Sequence, residues 1–189
     1  MTTANKTSEK QPQKTNQVTI PFRFGATTSK ASLQPAIYEA ILTQKNGDVK
    51  ATRSFIKDLA IEACQSDDVH DVSLFVQSKA LVHLMPQEIQ SNIFFNPTSD
   101  GRLPIRYHNP VSKKGTKMTT LTILVDILDF LYEGSGQAIH KNFAIAVHQA
   151  KAKEAQAMKA AGLEPKRQCN VSHIVRERII NHLMSAIDA

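Results

Sequence analysis

The sequence predicts a predominantly helical α+β domain in which several packed helices accompany a small sheet. Three observations carry that prediction. Residues 118–133, MTTLTILVDILDFLYE, are the longest apolar run and suit a central core helix. Residues 17–24, QVTIPFRF, alternate apolar and polar side chains with the period of a strand. Elsewhere, apolar residues recur at helical spacing in segments bounded by Gly, Pro and Asn.

Residues 1–16 hold no large apolar side chain after Met1. With Lys6, Lys10 and Lys14 against Glu9 they read as a disordered basic arm, leaving 17–189 as one globular domain. In the first strand Val18, Ile20, Phe22 and Phe24 share a face, and Pro21 confines it to a sheet edge. Thr28 and Ser32 offer cap chemistry for a helix reaching Gln44, with Ile37, Ala40 and Ile41 inward. Pro35 falls in its first turn, where a missing N–H costs nothing. Asn46-Gly47-Asp48 is a turn, followed by a helix near 49–66 with Phe55, Leu59 and Ala63 inward. Five acidic residues (Asp58, Glu62, Asp67, Asp68 and Asp71) then occur without an intervening Lys or Arg. A third helix near 72–85 stops at Pro86, which opens a short fourth.

Residues 96–117 contain three prolines and two glycines and form the longest stretch without a regular element, apart from a short strand at 103–107. In the core helix Leu121, Leu124, Val125 and Leu128 make one face, widened by Ile123, Ile127 and Phe130. Thr119, Thr122, Asp126, Asp129 and Glu133 are left as a narrow polar stripe. The β-branched start of this run also leaves open a strand that turns helical further on. Gly134-Ser135-Gly136 ends it. A long helix over 137–161 follows, then a break at 162–165. Asn170 or Ser172 caps a last helix with Val175 and Leu183 inward and Arg176, Glu177 and Arg178 outward. No internal repeat is visible.

A hydrophobic fraction of 41% and a charged fraction of 21% are ordinary for a soluble domain. A net charge of +6 and a pI near 9.4 are not, and they favour a polyanionic partner, nucleic acid ahead of an anionic membrane. Cys64 and Cys169 match neither a disulfide framework nor a zinc pattern, so both read as reduced thiols. With no signal peptide and no transmembrane segment, the expected location is cytoplasmic, any membrane contact being peripheral at the inner membrane.

Several groups of residues carry candidate chemistry. Arg102, Arg106, Lys113, Lys114 and Lys117 face a single Asp100 in the 96–117 segment, with Tyr107 and His108 between them. Cations beside a stacking surface are what binding of a DNA or RNA backbone requires. Gly134 and Gly136 at a helix start, with Lys141 one turn in, offer N–H groups and a cation to a nucleotide phosphate, although no Walker A spacing is present. Asp126, Asp129 and Glu133 are spaced to hold a divalent ion such as Mg²⁺, and Asp126 and Asp129 with His108 as general base would make a nuclease centre. Each group has an ordinary alternative, respectively a solvated loop, a helix connection and a solvated helix face. The C-terminal helix after Lys166-Arg167 lacks a partner for a helix-turn-helix and reads as a closing helix.

The lysine-bearing arm, the strand TIPFRF, the segment DGRLPIRYHNPVSKKG and the Gly-rich turn before a basic helix resemble the plasmid fertility-inhibition factor Osa family. The resemblance lies in layout and length. It implies a ParB/sulfiredoxin-like fold, a DNase responsive to ATP, and a role in blocking DNA export through a conjugative or type IV secretion channel. That family fold holds phosphate with a Gly-x-x-Arg turn. Here no arginine follows Gly134 and Gly136, and Gly101 with Arg102 and Arg106 lacks the spacing. Two further functions stay open: a non-catalytic nucleic-acid-binding regulator, and a protein that occludes a secretion component through the acidic 58–71 patch.

Overall fold

A computed structural model describes residues 17–93, 101–164 and 170–187. The arm, Asp100, Lys166, Arg167 and Cys169 lie outside those residues, and Cys64 is a free thiol. The chain is α+β and predominantly helical. In order it runs β1 (Val18–Phe24), β2 (Thr27–Leu33), α1 (Pro35–Gln44), α2 (Val49–Gln65), α3 (Val72–Leu84) and α4 (Gln87–Asn92). After these come β3 (Arg102–Asn109), β4 (Lys114–Leu121), α5 (Thr122–Leu131), α6 (Gly136–Ala160) and α7 (Val171–Ile187). Among the described residues no helix is long and apolar enough to cross a membrane.

Three expectations are corrected. The strands do not share one sheet but form two separate antiparallel pairs, β1 with β2 and β3 with β4. Residues 28–32, expected as helix-cap chemistry, are strand: Thr28 pairs with Arg23 and Ser32 with Thr19. The 118–133 run is strand first and helix second, so the alternative reading of its start holds. Thr119 and Thr120 lie on β4 opposite Pro104 and Leu103, where β-branched side chains fit the pleat. Most of the expected loop at 96–117 is therefore a β-hairpin.

α5 still supplies the centre. Leu124, Ile127 and Leu128 are fully buried, and the helix packs on α6 and α3. α3 in turn contacts α1, α2 and β2, and α1 contacts α7, so the core is continuous from Ile20 in β1 to Leu183 in α7.

The structure also holds a repeat that the sequence conceals. Each hairpin runs straight into a helix of 10 residues. Positions from Pro35 to Gly47 match those from Thr122 to Gly134 one for one. Ile37 and Ile41 are fully buried in the first unit, as are Leu124 and Leu128 at the matching places. Each helix ends on two successive left-handed residues, Asn46 (φ 52) and Gly47 (φ 79) against Glu133 (φ 49) and Gly134 (φ 80). The closing bonds match too, Gly47 N–H to Leu42 O and Gly134 N–H to Asp129 O, both 2.8 Å. A second long helix starts two residues later in both units.

Candidate nucleic-acid interface

The β3–β4 hairpin gathers the expected phosphate-binding residues. Side chains alternate across a strand, and cross-strand partners share a face. Arg106 lies opposite Lys117 and His108 opposite Gly115. All four are exposed, while Ile105, Tyr107 and Met118 point into the core. Lys113 (φ 54) and Lys114 sit at the exposed tip. Arg106, His108 and Lys117, with Gly115 and Thr116, border a shallow depression on this surface. Gly115 adds no side chain there, so the backbone between the cations stays approachable.

What holds the hairpin rigid lies on its buried side. Asn109 Oδ1 accepts from the N–H groups of Val111 (2.9 Å) and Ser112 (3.3 Å), which fixes its amide. Its Nδ2 must then donate to His148 Nδ1, 3.2 Å away on α6. A neutral imidazole with an accepting Nδ1 carries its proton on Nε2, and Nε2 donates to Tyr107 Oη at 2.8 Å. Burial lowers the His148 pKa and raises that of Tyr107, so both remain neutral near pH 7. Nearby, His140 donates from Nδ1 to Gly136 O (2.8 Å), leaving Nε2 to accept from Thr120 Oγ1 (2.9 Å). Two histidines of α6 thus pin both strands from behind. Nothing local in the sequence indicates the partners of these histidines.

Arg102 opens β3 and its Nη2 donates to Asp71 Oδ2 at 2.8 Å. Asp71 Oδ1 also caps α3 by accepting from Leu74 N–H. The acidic 58–71 patch is consequently engaged with cations at two points, here and at Glu62 with Lys79 (2.9 Å).

The carboxylates do not join this surface. α5 stops at Leu131, so Glu133 falls in the left-handed turn, off the helical stripe that was expected to carry it. Asp129 Oδ1 accepts from Gly136 N–H, serving as the cap that Ser135 does not provide for α6. Asp126 is exposed, and its carboxyl is held above the usual range by burial and by Asp129. Among the described residues no three His, Cys, Asp or Glu side chains come together as a metal would require. A Mg²⁺ site built from Asp126, Asp129 and Glu133 therefore does not fit this arrangement.

The Gly134–Gly136 turn fits a nucleotide phosphate no better. The N–H of Gly136 is already used by a carboxylate, which would repel the incoming anion. A Cβ built on Gly136 would lie 2.6 Å from Val125 O, so the turn is packed against α5. Lys141 sits on α6, partly buried and beyond its first turn. No step through ATP or a metal ion can be built on these residues. Comparison of the chain with protein families, with curated proteins and with solved structures finds no match.

Proposed function

We propose that this protein binds the phosphate backbone of DNA through the outer face of the β3–β4 hairpin. The observation that supports the reading is the placement of Arg106, His108 and Lys117 on one exposed face, with Lys113 and Lys114 at the tip. Cations held on a braced hairpin lose little freedom on binding, and backbone contact needs no base-specific groups. The resemblance to fertility-inhibition factors gives this binding a setting: retention or blocking of DNA bound for a conjugative or type IV secretion channel.

Binding is tested by its dependence on salt. Four phosphate contacts, from Arg106, Lys113, Lys114 and Lys117, correspond to a log–log slope of about −3.6 on duplex DNA. Replacing Arg106 and Lys117 together with Ala should reduce the magnitude of that slope by about 1.8. A wild-type slope near zero would end the proposal, and an unchanged slope in the double variant would move the contact elsewhere.

Cleavage of the bound DNA is a second reading. Its support is the resemblance to fertility-inhibition factors alone, since Asp129 is taken up as the cap of α6. Linear DNA incubated with the protein, with and without Mg²⁺ and ATP, separates the two readings. Intact DNA under every condition leaves binding alone.

A further inference from the structure

The repeat extends upstream into the hairpins. With Pro35 set on Thr122, β2 from Thr27 to Leu33 falls on β4 from Lys114 to Thr120, and Lys30 matches Lys117. Cross-strand pairing carries the match into the first strands: Lys30 pairs with Pro21 and Lys117 with Arg106, so β1 falls on β3. The buried faces agree place by place, Ile20 with Ile105, Phe22 with Tyr107, Ala31 with Met118 and Leu33 with Thr120. The helices behind them agree too. β1 packs on α2 and β2 on α3, as β3 packs on α6 and β4 on α7. Between the units the packing is reciprocal: α1 lies on α7, while α5, the counterpart of α1, lies on α3, the counterpart of α7. Reciprocal contacts of this kind are the mark of a twofold relation between two copies of one unit.

The outer faces correspond in charge as well. Arg23 and Lys30 are exposed on the side of the first hairpin away from the core, diagonal to one another across the strands. Lys30 takes the place of Lys117, and Arg23 that of His108. None of the chain's 17 acidic residues lies on any of the four strands, so no carboxylate within either ribbon offsets its cations. We propose that the outer face of the β1–β2 hairpin is a second contact for the phosphate backbone of DNA, equivalent to the β3–β4 face through the internal twofold. A duplex presents the same phosphates repeatedly along its length, and twofold proteins use that regularity by contacting it at two places. The inference rests on the reading of the β3–β4 hairpin as a DNA-binding surface and adds Arg23 and Lys30 to it.

The test uses the full chain and a duplex of mixed sequence. If both hairpins meet one duplex, two added contacts carry the salt slope from about −3.6 to about −5.4. Replacing Arg23 and Lys30 together with Ala should then reduce its magnitude by about 1.8. If each hairpin holds its own duplex, the same variant should lose one of two bound duplexes. A control pair of exposed lysines on α6, Lys153→Ala with Lys159→Ala, separates a defined contact from general charge and should change neither quantity. The wild-type protein supplies an independent readout, which also serves if the variant fails to fold. DNA should protect Lys30 and Lys117 from acetylation while Lys153 and Lys159 stay reactive. A slope and stoichiometry unchanged in the Arg23/Lys30 variant, an equal effect in the control pair, or a Lys30 acetylated as fast with DNA as without it overturns the second contact. If the Arg106/Lys117 variant still weakens binding in those cases, the first surface stands alone. A wild-type slope near zero removes both surfaces together.

Discussion

Gln34 tests whether the repeated unit has energetic meaning. It occupies the N-cap position of α1 that Leu121 occupies for α5, and both residues are buried, at 0% and 1% exposure. Neither Nε2 nor Oε1 of Gln34 has a hydrogen-bond partner. Leaving a buried amide unsatisfied costs about 1–3 kcal/mol. Gln34→Leu transplants the residue of the matching position, nearly conserves volume and removes that cost. The backbone role survives, since Gln34 O still accepts from the N–H groups of Ile37 and Tyr38. The expected gain is about 2 kcal/mol, which raises the unfolding temperature by about 4–8 °C for a domain of this size. Thermal and urea unfolding, with the urea slope unchanged, would check it. A variant less stable than wild type would refute the reasoning, showing that the amide is satisfied and that the two units differ at this position.

Asn109→Ala removes the bond to His148 and both turn contacts; Val111 and Ser112 are exposed, so water replaces their share, and a loss of about 2 kcal/mol is expected in urea unfolding. A cost below about 0.5 kcal/mol would mean that Asn109 does not brace the hairpin. Acid should destabilise the fold through His83, His140 and His148, whose pKa values burial lowers from 6.5. For such groups the unfolded chain takes up protons first, so their contribution is present above about pH 6.5 and is lost as pH falls through the lowered folded values. Asp126 acts in the opposite direction, but it is exposed and the effect is small. The unfolding temperature should therefore decline below about pH 6.5, and a rise there would contradict these assignments.

Much of the local structure follows from the sequence by itself. Alternation in VTIPFRF makes β1, Asp48 and Asp71 cap α2 and α3, and the apolar spacing of 123–128 buries one helix in the core. Such signals are local, because caps and periodicity act within a turn or two. The basic character of 102–117 was equally legible.

Tertiary structure decided the rest. Whether 118–121 became strand or helix depended on pairing with β3, and β4 hides its pattern because only Met118, Thr120 and Leu121 of its eight residues are buried. Without that pairing the prolines and glycines of 96–117 read as loop. Asp129 looked like a metal ligand on a stripe, but the turn at 132–135 brings Gly136 N–H to it and makes it a cap. The repeat was invisible because backbone geometry, rather than side-chain identity, is what the two units share. Arg176 is the instructive case. Its spacing to Ile179, Ile180 and Leu183 already placed it on the inner face, while its charge argued for the outer one. Packing resolved the conflict in favour of the inner face, where the Nε of Arg176 is sealed from solvent and burial, with the neighbouring charge of Arg102, lowers its pKa.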